Sequence, residues 1–266
     1  MAGTVVVSLD FELGWGHRQS RPAYVNRIRD QEHEIESRFE TLVDTFERHN
    51  IAATWGVVGK LLEDSDDALY SNPSLLTKVV ESEPDHEIGL HSYAHTPFDE
   101  LSPAEARDDL TAGKAILSEY GVKPQSFIFP QNRVDHLDLL SEFGITCYRD
   151  GVGTDRLLPG PATKLIPPTV KPTKDETGVA AFPGSMFLAE SHLPPQLLRW
   201  KAKIGLQLAI RRNGIVHLWL HPHNVIVHPE VLSVVDHVFS YINEKRSEGL
   251  LVNETMNSVI NSHTLS

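Results

Sequence analysis

Short apolar runs alternate with longer amphipathic stretches along nearly the whole chain, and this alternation limits the fold more than any other feature. Residues 5–9 form an apolar run broken only by Ser8, the pattern of a strand buried on both faces of a parallel sheet. Residues 32–49 then carry Ile35, Phe39, Leu42, Val43 and Phe46 at helical spacing. Further strands are predicted at 52–58, 88–90, 126–129, 145–148 and 216–220. A helix is predicted to start at Asn72-Pro73, with Asn as cap and proline in the first turn. The capping box Ser102-Pro103-Ala104-Glu105 opens another that runs to about Tyr120. Helices follow over 135–143, from Pro194 or Pro195 to about Arg212 with Gly214 as the stop, over 229–245, and over 254–261 behind an Asn253 cap.

Strand then helix, repeated about seven times, predicts a parallel α/β architecture. A closed barrel and an open doubly wound sheet both satisfy that order. The length of 266 residues leans toward a single-domain (β/α) barrel spanning 1–266. The stretch 149–187 is different, rich in Gly, Pro and Thr. It reads as long loops with one or two short strands near Leu165 and Phe182, placed to form one wall of a groove.

A formal net charge of -12 argues against a general nucleic-acid binder, which needs a basic face. The lone cysteine, Cys147, excludes an intramolecular disulfide and sits in an apolar run as a buried strand residue. Residues 1–10 read as a first strand and not a signal peptide, and no window of roughly 18 apolar residues predicts a membrane span. The expectation from these features is a cytoplasmic protein. Residues 197–212 begin with a basic amphipathic segment, which suits either a solvated helix face or contact with an anionic membrane surface.

Acidic and imidazole groups stand where the predicted strands end, and parallel α/β folds place their sites there. Asp10 and Glu12 are two apart, so a strand points both carboxylates to one side. Two close carboxylates repel unless a cation or proton lies between them. His91 and His95 are four apart, the spacing that meets on one face of a helical turn and suits one divalent ion. His217, Trp219, His221 and His223 share a side by strand alternation. Of these, His221 stands at the strand end, where a general acid or base belongs, and His217 lies deeper. Phe129-Pro130-Gln131-Asn132-Arg133 ends a strand in a polar loop whose backbone N–H groups could face a ligand.

Taken in order, these motifs resemble the polysaccharide deacetylases of carbohydrate esterase family 4, with His91-Ser92-Tyr93-Ala94-His95 the most specific piece. The resemblance implies a deformed (β/α) barrel with seven or eight strands and hydrolysis of N-acetyl groups on sugars, with zinc or another divalent ion as cofactor. It assigns Glu12, His91 and His95 as metal ligands, Asp10 as general base and His221 as the acid that protonates the leaving amine. Tyr93, Pro130, Gln131, Asn132, Trp219 and His223 are the candidate substrate-binding residues. The implied partner is an N-acetylated sugar or glycan, and not a nucleic acid.

The chain departs from the family pattern in three places. Asp10-Phe11-Glu12 is a spaced pair, whereas the usual first motif has adjacent aspartates; this resembles the branch containing some peptidoglycan deacetylases and allantoinase-like amidases. Ile128 stands where an arginine shortly precedes the proline, leaving Arg133 or Arg149 to supply that charge. The aspartate–tryptophan fourth motif is not evident, although Asp150 follows a predicted strand. These departures leave two alternatives open: an amidase acting on a non-sugar such as a ureide, and a catalytically inactive glycan-binding barrel.

Overall fold

The computed structural model describes residues 2–18, 21–149, 151, 166–174, 176–190 and 193–262. The expectations for Asp150 and for a strand near Leu165 lie outside the described residues. The first strand, β1 (Gly3–Phe11), is buried along its whole length, as its largely apolar sequence favours. It pairs in parallel with β2 (Thr54–Val57), which continues through β3 (Glu87–Leu90) and β4 (Ser126–Ile128) to β5 (Cys147–Arg149). Three two-residue strands follow: β6 (Thr173–Lys174), β7 (Ala180–Ala181) and β8 (Met186–Phe187). The other edge of β1 pairs with β9 (Ile215–Leu220), while β10 (Leu251–Glu254) pairs with the start of β1 beside β2.

The strand order is β6-β7-β5-β4-β3-β2-β1-β9-β8, with β10 attached to β1. Of the expected deformed barrel of seven or eight strands, the described residues form a curled but incomplete sheet. Among the described residues no ladder joins its two ends. The gap is spanned by residues 182–185 of the chain itself. Phe182 N–H donates to Tyr148 O (2.7 Å), and Ser185 N–H donates to His217 O (2.7 Å). The curl is visible in one contact. Strands β1 and β5 are four places apart, about 19 Å in a flat sheet, yet Arg149 Nη2 lies 2.5 Å from Asp10 Oδ2.

Helices cover the outside. Helix α1 (Pro22–Arg29) was not predicted, because its eight residues bury only Val25 and Ile28. In α2 (Ile35–Arg48) the predicted face is buried, and Phe39 and Phe46 pack around the Trp55 ring. Helix α3 (Pro73–Glu81) begins at the proline, but the Asn72 side chain makes no cap bond; its Oδ1 accepts from Ser74 Oγ instead (2.9 Å). The Ser102–Glu105 capping box is present at the start of α4 (Pro103–Ser118), which is followed by α5 (Leu137–Glu142).

Helix α6 (Pro195–Arg212) is stopped by Asn213 in the left-handed conformation (φ 49°), one residue before the expected glycine. Its Leu198, Ala202, Leu206 and Ala209 face the core, Lys201 pairs with Glu190, and Trp200 is left half exposed. No described helix is long and apolar enough to cross a membrane. After β9 come α7 (Pro222–Val227) and α8 (Glu230–Ser247). The expected helix over 254–261 is shorter at its start. Residues 251–254 are strand β10, and α9 is Met256–Ser262. Asn253 caps nothing: its Oδ1 accepts from Ala52 N–H (2.7 Å) and its Nδ2 donates to Ala52 O (3.0 Å), tying β10 to the residues before β2. Cys147 is buried, and burial pushes its thiol well above the ordinary range.

Candidate metal centre

The carboxyl ends of β1, β3, β5 and β9 meet around two carboxylates, Asp10 and Glu12. Alternation along β1 sends Phe11 into the core against Phe39 and Trp55, and turns Ser8, Asp10 and Glu12 inward. Glu12 Oε2 lies 3.1 Å from His91 Nε2 and 2.8 Å from His95 Nε2, with all three side chains almost fully buried. Ligand bonds of about 2.0–2.1 Å at tetrahedral angles put donor atoms about 3.3 Å apart. The two contacts to Glu12 therefore need to lengthen by only about half an ångström or less to match a zinc-sized ion, and the three donor atoms lie within 4.8 Å of one another.

The expected helical turn at the histidine pair is absent. Residues 91–95 form an irregular turn with Ser92 (φ 63°) and His95 (φ 54°) in the left-handed region, and this backbone brings the two rings 4.8 Å apart. Such conformations cost free energy unless the surroundings impose them. Asp109 on α4 does so, accepting from Ser92 Oγ (2.8 Å), Tyr93 N–H (2.8 Å) and Ala94 N–H (3.3 Å). Burial raises the Asp109 carboxyl above its usual value despite those donors. His91 Nδ1–H donates to Ile128 O (2.6 Å), which leaves Nε2 to face Glu12.

The electrostatics follow from these contacts. Burial works to raise the Glu12 carboxyl, but His221 and His95, with hydrogen bonds from both His91 and His95, hold it well below the carboxylate range. Burial likewise opposes the charged form of Asp10, and the Arg149 guanidinium, with His221 and His91, outweighs it and lowers the carboxyl. Burial presses His91 down, and its bond to Glu12 and the charge of Asp10 overcome this and raise it.

Arg149 supplies the charge that Ile128 lacks at the third motif. It bonds Asp10 Oδ2 and Ser8 Oγ (3.0 Å), and its guanidinium lies 4.6 Å from the centre of the Trp219 ring. Arg133, the other candidate, pairs with Asp99 and Glu100 on the surface. The second carboxylate oxygen, Asp10 Oδ1, is buried and without a hydrogen-bond partner.

His221 stands opposite. Its Nε2 is 3.4 Å from Glu12 Oε1 and 3.6 Å from Asp10 Oδ2, and its Nδ1 is 3.2 Å from Asn224 Oδ1. Asn224 Nδ2 in turn donates to Tyr24 Oη (3.2 Å).

His217 lies deeper. Its Nδ1 contacts Pro183 O (3.1 Å) and its Nε2 contacts Ser8 Oγ (2.8 Å), while burial drives the ring down to about 3. His86, far from this centre, is pushed down by burial to about 4. Both rings stay neutral in the fold while the unfolded chain takes up protons near pH 6.5, so the stability these two groups contribute is complete above pH 6.5 and declines as pH falls toward 4 and then 3. Each group contributes up to about 2 kcal/mol of loss between pH 6.5 and pH 5, at about 1.4 kcal/mol per pH unit. Urea unfolding at pH 7 and pH 5 will show this loss, and His86→Gln, which has no proton to gain, will show less of it.

A cavity of about 480 Å³ opens over these groups. Asp10, Glu12, His95 and His221 lie at its floor, with Trp219 and Phe187 on one wall and Tyr24, His17 and Arg21 on the other. Gln131 and Asn132, both left-handed (φ 55° and 57°), line it as well. Of the candidate substrate residues, Gln131, Asn132 and Trp219 thus line the cavity, whereas Tyr93, Pro130 and His223 do not. Tyr93 Oη bonds Glu63 away from the cavity, and that bond pushes the phenol up to about 12. His223 lies in the first turn of α7, fully buried, with neither ring nitrogen hydrogen-bonded. Unmade buried bonds of this kind cost about 1–3 kcal/mol each.

Sequence reasoning missed His17, Tyr24 and Asn224, which belong to no run of the expected periodicity. It also missed Gly16, where a Cβ would overlap the Glu12 carboxylate. Glu12 is gripped by two histidines and cannot swing away freely. Gly16→Ala is therefore expected to weaken divalent-metal binding about 10–100-fold, the usual effect of disturbing a ligand's support, with an unchanged circular dichroism spectrum. Competition with a chromogenic chelator measures this.

The sequence profile of the polysaccharide deacetylase family matches residues 30–147. The peptidoglycan-N-acetylglucosamine deacetylase PgdA of Listeria monocytogenes is 28% identical over 115 residues, which cover 43% of this chain and 22% of that protein. The match therefore spans about a fifth of the curated relative's length. Among solved structures, a probable polysaccharide deacetylase from Pseudomonas aeruginosa PAO1 superposes with a TM-score of 0.71 at 14% identity, over 97% of this chain and 89% of that one. Puue allantoinase does so with a TM-score of 0.70 at 13% identity, over 99% and 92%. The chain therefore has the fold of solved polysaccharide deacetylases, is similar in sequence to that family over residues 30–147, and carries at its strand ends a His/Asp/Glu cluster that could hold a metal ion.

Proposed function

We propose that this protein is a metal-dependent hydrolase that removes acetyl groups from N-acetylated sugars. The carrying observation is the arrangement around Glu12. His91 and His95 converge on one of its oxygens, while Asp10 with its unpartnered Oδ1 and His221 flank the other side of the same cavity. Glu12, His91 and His95 fit a divalent ion by donor type and spacing, and zinc suits two imidazoles and a carboxylate. When bound, the ion supplies Lewis acidity at the substrate carbonyl and the attacking water.

The protein's own groups do the rest. Asp10, held as a carboxylate by Arg149, takes the water's proton on Oδ1. The backbone N–H of Gln131 stabilises charge developing on the acetyl oxygen. His221, steered by Asn224 at Nδ1, delivers a proton from Nε2 to the departing amine, leaving acetate and a free amino sugar. Trp219 and Phe187, 4.4 Å apart between ring centres, offer an apolar wall against which a sugar ring packs.

The spaced acids Asp10 and Glu12 favour placement in the branch that includes allantoinase-like amidases, so ureide hydrolysis is the assay to run in parallel. The test combines metal analysis of purified protein with acetate release from N-acetylhexosamine oligomers. Bound divalent metal, acetate release and loss of both on His91→Ala support the proposal. A metal-free protein with full activity, or activity unchanged by His91→Ala, overturns it.

A further inference from the structure

Beside the Glu12–His91–His95 set, the same carboxylate takes part in a second group of donors. His17 follows β1 in a short 3-10 turn, Trp15–His17, which Trp15 anchors by donating from Nε1 to Tyr70 O (2.9 Å). His223 comes from α7. One ring nitrogen of each and one oxygen of Glu12 all lie within 4.8 Å of one another.

The proposed hydrolytic chemistry makes no use of His17 or His223. Yet His223 is fully buried with both ring nitrogens unpartnered. It is also fixed in place, stacked on His221 at 4.7 Å between centres and edge-on to His17 at 5.1 Å. A structural histidine in a core ordinarily has its nitrogens satisfied, as His217 does. A nitrogen donor held bare beside a carboxylate and a second imidazole has the chemistry of a ligand awaiting a borderline cation.

We propose that Glu12, His17 and His223 form a second divalent-cation site, with Glu12 bridging it to the site of His91 and His95. This rests on the metal-dependent reading of Glu12 given above. A carboxylate has two oxygens, and paired sites in hydrolases lie close enough to share one residue. Two dications joined by one carboxylate repel, so the sites fill in sequence and the second to fill is the weaker. His17 lines the cavity, so a cation there also faces substrate.

The test uses the full chain, stripped with chelator and titrated with Co²⁺, with bound cobalt counted by mass spectrometry after desalting and by calorimetry. The expected result is two Co²⁺ per chain in two resolved steps, falling to one in His17→Ala and in His223→Phe. His17 is only half buried, so its variant remains informative if the His223 variant fails to fold. One Co²⁺ in the wild type that is insensitive to His17→Ala overturns the second site. One Co²⁺ lost equally with His91→Ala or His17→Ala means a single site with pooled ligands, and also overturns it. No bound Co²⁺ overturns both this site and the metal-dependent hydrolase, whereas a single Co²⁺ with intact acetate release leaves that function standing.

Discussion

Arg149→Met is expected to destabilise the metal-free protein by about 3–5 kcal/mol, the usual cost of leaving a buried charge without its partner. Arg149 is 1% exposed and Asp10 5%, so water cannot replace the guanidinium. The lost group also bonds Ser8 Oγ and packs over Trp219, so three contacts disappear together. Urea denaturation in chelator measures the loss. The double variant Asp10→Asn/Arg149→Met removes the stranded charge and should recover most of the stability, giving a strong positive coupling in the cycle. A loss below about 1 kcal/mol, or purely additive effects, would show that Asp10 is not held by this pair.

The second large effect concerns rate. Asp10→Asn keeps the size and the contact with Arg149 but removes the proton acceptor. On the proposed mechanism, acetate release falls by about 10²–10⁴-fold, the range of a general base. Metal content should stay at the wild-type level, because Glu12, His91 and His95 are untouched. Steady-state kinetics beside metal analysis checks both halves. An Asp10→Asn variant that keeps its rate denies Asp10 the base role, and one that loses its metal makes Asp10 a ligand.

The parts of this centre that could be read from the chain are those encoded by local geometry. Asp10 and Glu12 share a side because a strand alternates, and His221 ends β9 where an apolar run stops. The Ser102–Glu105 box and the buried face of α2 are likewise local patterns, and both hold. The histidine pair is instructive because the expected contact forms by another route: the left-handed Ser92 and His95, pinned by Asp109, replace the helical turn. The short strands β6, β7 and β8 went largely unseen. Two residues are too few to show periodicity, and the partners that tie β7 and β8 into the sheet, β5 and β9, lie far along the chain.

By itself, then, the sequence determined the alternating α/β order, the inward carboxylate pair on β1 and the imidazoles that face it, because pleat and helical spacing act over a few residues. The tertiary structure alone decided how those residues are supported. The curl of the sheet carries Arg149 from β5 to Asp10, and the gap it leaves is bridged by residues 182–185. Packing of α7 against the segment after β1 brings His223 beside Glu12 and His17, and Asn224 beside Tyr24. No local pattern records the reach of Arg149 to Asp10 or of His223 to Glu12, because the curvature that makes such contacts is summed over the strands between the partners.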